Sequence, residues 1–142
     1  MGRKKARNFA FLCVYQLEYN KEIDINKLVE YVFTDNISDN DQFVILDNIE
    51  EKEFAKKIVN GVKENITEID KVIFDHLKNW KTERITKVDL ALLRIAIYEI
   101  MFLKEFPAKV SVNEAVELAK KYGTDDSSNF VNGVIAKIIE KV

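Results

Sequence analysis

The run LALLRIAIYEIMFL, residues 90–103, carries Arg94 and Glu99 as its only charges. A helix that is apolar nearly all round is buried on several sides, so this run predicts a central helix with others packed about it. It falls short of the roughly 18 apolar residues that a membrane span needs, and no other run in the chain approaches that length. Thr86-x-x-Asp89 supplies a cap ahead of it. Phe106-Pro107 ends it, because a residue before proline avoids the α region. Arg94 and Glu99 are expected to pair with each other or to lie at the periphery.

Working outward, the same periodicity recurs on both sides. Ala6, Phe9, Ala10, Cys13, Val14 and Leu17 recur at spacings of three and four and predict a helix over 4–19. Arg7, Phe11, Tyr15 and Glu18 form a second stripe on it. A short helix over 25–33 follows, with Asp24 as N-cap. Asp35, Asn36, Ser38, Asp39, Asn40 and Asp41 mark an acidic loop within 34–49. Phe54, Ile58, Val62 and Ile66 point to a helix over 50–65, with Gly61 marking a close approach or a kink. Thr67-x-x-Asp70 opens a helix to Leu77, and Trp80 follows in a link. Ser111-x-x-Glu114 reads as a capping box for a helix ending at Gly123. The chain restarts at Thr124-Asp125-Asp126-Ser127, and Phe130, Val131, Val134, Ile135 and Ile138 carry a seventh helix to the terminus.

Composition agrees with this reading. Four glycines and one proline in 142 residues leave too few turns for an all-β chain, and 47% apolar with 32% charged residues is globular. The expected class is all-α, as one domain over residues 1–142. One cysteine and one histidine exclude a structural zinc site and an internal disulfide. No apolar leader with a cleavage site begins the chain, so a cytoplasmic protein is expected. Gly2, Gly61, Gly123 and Gly133 are too scattered for a phosphate loop or a dinucleotide fingerprint. His76 lacks a nucleophile motif and reads as a partner for the C-terminus of its helix. Cys13 reads as a buried thiol. No catalytic residue, metal or cofactor is expected.

Charge is unevenly spread. Residues 1–21 hold Arg3, Lys4, Lys5, Arg7 and Lys21 against Glu18, a net of +4, which leaves −6 for the rest of a chain of net −2. A short basic arm on an acidic body signals a partner. Such an arm can neutralise phosphates, and an aromatic residue beside it, here Tyr15, can stack on an unpaired base.

The run Leu93-Arg94-Ile95-Ala96-Ile97-Tyr98-Glu99 resembles the central helix of the NusB family of bacterial transcription antitermination factors. So do Val112-Asn113-Glu114-Ala115-Val116-Glu117-Leu118-Ala119-Lys120, Tyr122-Gly123 and Phe130-Val131-Asn132-Gly133-Val134 resemble its C-terminal signature. The resemblance covers essentially the whole chain. It implies seven helices, as two packed three-helix bundles plus one further helix. It also implies binding of boxA, a single-stranded RNA element of ribosomal RNA leader transcripts, together with the ribosomal protein NusE. The pair then joins RNA polymerase and other Nus factors, and no reaction is catalysed.

Carried over by position, Arg3, Lys4, Lys5, Arg7 and Tyr15 would meet RNA, as would Tyr122, Gly123, Asp126 and Ser127. Asp89 and Phe130 would face NusE. Two of the four arm cations are Lys where relatives often have Arg, which removes the planar fork for phosphate. Asn129, preceded by Ser128, stands where relatives are often basic. Two alternatives remain: a NusB-like module of the kind fused to ribosomal RNA cytosine methyltransferases, for which a chain ending at Val142 has no room, and a homodimeric helical protein without an RNA role.

Overall fold

The computed structural model describes residues 3–19, 24, 27, 49–77 and 85–141. All regular elements among them are helical: α1 (Lys4–Leu17), α2 (Ile49–Glu64), α3 (Ile66–Asp75), α4 (Lys87–Ile97), α5 (Ala108–Tyr122) and α6 (Ser127–Glu140). A π-helical turn, Tyr98–Leu103, prolongs α4. Trp80 and most of the expected 25–33 helix and 34–49 loop lie outside the described residues; Ile49 begins α2. Asp24 Oδ1 accepts from the Lys27 backbone N–H at 3.4 Å. No helix is long and apolar enough to cross a membrane among the described residues.

The chain divides into two compact units, Met1–Gly61 and Val62–Val142. In the first, the apolar stripe of α1 is fully buried from Ala6 to Leu17, as are Phe54, Ala55, Ile58 and Val59 of α2. Cys13 is inaccessible, and burial pushes its thiol up to about 12, so it remains a neutral core group at ordinary pH. Phe11, on the second stripe, is buried as well.

In the second unit every residue from Asp89 to Glu99 is buried, and α4 packs against α3, α5 and α6. The central helix is therefore where its apolar sequence put it. Thr86 caps it, its Oγ1 accepting from the Asp89 backbone N–H at 3.0 Å. His76 stands at the C-terminus of α3, with its Nδ1 2.8 Å from the Val72 carbonyl oxygen, as expected.

The two charges of α4 do not pair. Five residues apart, they sit about 140° round the helix from each other. Arg94 instead grips Asp70 of α3 with both ends of its fork, Nε to Oδ1 at 2.8 Å and Nη2 to Oδ2 at 2.9 Å. Glu99 accepts from the Ser111 hydroxyl of α5 at 3.1 Å. These two bonds undo two expected caps. Asp70 closes no box with Thr67, and α3 begins at Ile66 after an Asn65 that makes no side-chain cap bond. Ser111 lies inside α5, which starts at Ala108 behind Pro107. In both cases a buried charge on α4 claims the polar side chain from its local role. The helix stop differs too: α4 and its π turn end at Lys104, in the left-handed conformation (φ 56°), before Phe106-Pro107 is reached.

Asp70→Ala would leave the Arg94 guanidinium, 5% exposed, without its carboxylate. Urea unfolding of this variant should show a loss of about 2–4 kcal/mol. A loss below about 0.5 kcal/mol would show that the pair is not a structural tie.

Candidate nucleic-acid interface

The basic arm is built onto the start of α1. Arg3 precedes the helix in a left-handed conformation (φ 62°). Its Nη1 donates to Glu51 Oε2 at 2.9 Å, and its guanidinium lies 5.6 Å from the centre of the Phe54 ring. Arg7 sits over the same ring at 5.6 Å and is 1% exposed. Cations over an aromatic face are held by the ring quadrupole. The four arm cations thus separate into two kinds. Lys4 and Lys5 are exposed, whereas Arg3 and Arg7 lie over the Phe54 ring of α2. Glu51 and Phe54 support the two arginines, which the sequence does not signal. Phe54 was placed in the core, and nothing local marks it as a platform for two guanidiniums.

Tyr15 lies two turns beyond Asn8 on α1 and is half-buried. Its ring tilts against Phe11 at 6.0 Å and meets Tyr19 edge-on at 5.3 Å. The two phenol oxygens are 3.1 Å apart. The hydrogen bond with Tyr19 raises the Tyr15 phenol above its ordinary value, with burial adding to the effect.

In the second unit, α5 ends at Tyr122, half-buried, with the Lys121 ammonium 5.2 Å from its ring centre. Gly123 donates its N–H to the Ala119 carbonyl at 2.9 Å. It stops the helix as expected, with an extended rather than a left-handed backbone (φ −95°, ψ −168°). Glycine is needed for space instead: a Cβ would lie 2.3 Å from Ser127 Oγ and 2.5 Å from Ser127 Cβ. Ser127 is 1% exposed, and its Oγ accepts from the Thr124 N–H at 3.0 Å. Gly123 and Ser127 thus fold the turn, while Asp125 and Asp126 are exposed on it. Asp126 occupies the N-cap position of α6 but makes no side-chain cap bond.

Asp89 and Phe130 fall in the first turns of α4 and α6, two helices that pack directly together. Phe130 is half-buried. Asp89 is 6% exposed, and its Oδ1 has no hydrogen-bond partner among the described residues. A buried carboxylate oxygen without a donor is costly unless a partner supplies one.

Gly123→Ala should destabilise the folded chain by about 1–3 kcal/mol in thermal or urea unfolding. Ser127→Ala should not rescue it, because the Ser127 Cβ contact remains. Full rescue by Ser127→Ala would mean that the hydroxyl alone sets the constraint.

Comparison with known proteins gives a consistent result. The model of the NusB family matches residues 4–140. The transcription antitermination protein NusB of Clostridium novyi (strain NT) is 41% identical over 140 residues, with 99% of each chain covered. Among solved structures, T. maritima NusB superposes with a TM-score of 0.80 at 33% identity, covering 97% of this chain and 90% of that one. The crystal structure of antitermination factors NusB and NusE in complex with dsRNA gives 0.81 at 32% identity, covering 99% of this chain and 98% of its own.

Proposed function

The chain belongs to the NusB family, and from that premise we propose that it is a transcription antitermination factor binding boxA RNA of ribosomal RNA leader transcripts together with NusE. Through this complex it supports processive transcription of ribosomal RNA operons, with RNA polymerase and other Nus factors as indirect partners. The observation that carries the reading is the family match across residues 4–140. A solved relative is itself a complex of NusB, NusE and RNA.

On this reading the whole chain works as one RNA-binding module in the cytoplasm, where nascent transcripts are, and it catalyses no reaction. Lys4 and Lys5 meet phosphates directly. Arg3 does so by exchanging Glu51 for phosphate, and Arg7 contributes by holding the arm against Phe54. Tyr15 stacks on an unpaired base. Tyr122 and Asp126 face bases from the turn that Gly123 and Ser127 shape; Asp126 accepts from base amino groups and repels misplaced phosphates. Asp89 and Phe130 receive NusE. A donor from NusE would satisfy the buried Asp89 oxygen, and the Phe130 ring would serve as an apolar anchor.

Fluorescence anisotropy with labelled boxA RNA tests this, with and without NusE, against a scrambled strand and a duplex. The expected order is tightest binding to single-stranded boxA, strengthened by NusE and weakened by salt. Lys4→Ala with Lys5→Ala should lower the salt slope by about 1.4, at about 0.7 per single-strand phosphate contact. An unchanged slope would remove both lysines from the interface. For the partner site, Phe130→Asp should weaken capture of NusE at least about tenfold while circular dichroism shows an intact fold. Undiminished capture by the folded variant would exclude Phe130 as the anchor.

A further inference from the structure

Tyr19 plays no part in the core. It is 62% exposed, one of only three large apolar side chains so exposed among the described residues. A lone exposed aromatic needs no explanation, but this one is bonded to Tyr15, the residue already expected to stack on RNA. The rings stand edge to face at 64°, with centres 5.3 Å apart. The shared hydroxyl contact at 3.1 Å fixes each ring relative to the other.

The helix places charge in line with this pair. At about 100° per residue, Lys4 and Tyr15 fall within about 20° of one another on α1, and Tyr19 lies in the turn just past its end, its N–H donating to the Gln16 carbonyl at 3.0 Å. The rise of about 1.5 Å per residue puts Lys4 and Tyr15 about 16 Å apart along the axis. The stripe therefore offers cations at one end and two aromatic faces at the other. A single strand laid along it meets charge with its backbone and π surface with its bases.

We propose that Tyr19 is a second base-stacking residue, which binds the nucleotide next to the one on Tyr15 and holds the Tyr15 ring in place through the phenol contact. This rests on the RNA-binding reading above and adds a specific contact to it. The two rings are set at an angle, so they favour adjacent bases that are splayed apart. A continuous duplex keeps its bases stacked on one another and offers neither face. Tyr19 thereby contributes to the choice of single-stranded over double-stranded RNA.

The test uses the full chain and a labelled single-stranded boxA oligonucleotide, with the matching duplex as comparison. Tyr19→Ala and Tyr19→Leu should each weaken single-strand binding by about 5- to 100-fold. Neither should change the salt slope, since no phosphate contact is lost, and duplex binding should hold within about twofold. Tyr19→Phe keeps the π face and should bind within a few-fold of the parent. Melting temperatures of all variants should match the parent, because Tyr19 is exposed. Unchanged single-strand binding by Tyr19→Ala, alongside weakened binding by Tyr15→Ala, would overturn the proposal and leave the RNA-binding reading standing. Failure of the parent protein to bind either RNA would overturn both. Equal losses on single strand and duplex would overturn the selectivity claimed for the pair.

Discussion

An arginine at 4% exposure on the most apolar helix of the chain must have its charge met, and Arg94 is met by Asp70. Much of the second unit follows from that requirement. The bidentate grip ties α3 to α4 at a fixed rotation, because a planar fork accepts a carboxylate in few orientations. On the other side of α4, Glu99 reaches Ser111 and ties in α5. Apolar burial along α4 supplies the driving force, and the two polar ties set the angular register of its neighbours. That register positions the first turns of α4 and α6, and with them Asp89 and Phe130.

The first unit uses an aromatic ring for a similar purpose. Phe54 lies beneath both Arg3 and Arg7, and Glu51 takes the outer guanidinium of Arg3. An arm of four cations would otherwise repel itself and fray. Here two are fastened and two, Lys4 and Lys5, stand exposed. The fastened pair gives the arm a defined direction in advance, which reduces the ordering cost of any contact it makes. The turn at 122–127 is organised in advance in the same sense. The missing side chain of Gly123 lets Ser127 close on it, and the acidic pair is left exposed.

Helix positions and buried faces were legible in the sequence wherever the signal was local. The α1 stripe from Ala6 to Leu17, the all-round apolarity of α4 and the Thr86 cap all match the structure, because each depends on residues within one or two turns. The readings that failed depended on distant partners. Thr67-x-x-Asp70 and Ser111-x-x-Glu114 have capping spacing, but Arg94 and Glu99 compete for Asp70 and Ser111 and win, since a buried charge without a partner costs more than a lost cap. The Gly123 stop was legible as well, since α5 does end at Tyr122; the close contact with Ser127 that requires a glycine there needed the fold. For the candidate interface, the arm and Tyr15 were visible as charge beside an aromatic. Burial of Arg7 and Ser127, support from Glu51 and Phe54, and the Tyr15–Tyr19 pair all required the fold.

The proposed RNA contacts lie on the α1 stripe and on the 122–127 turn. The most direct measurement is a titration of the isotope-labelled chain with boxA RNA, followed through backbone amide resonances. The account predicts shifts concentrated in residues 4–19 and 121–127, with the α4 interior unmoved. Shifts confined to other surfaces, or none at saturating RNA, would contradict it.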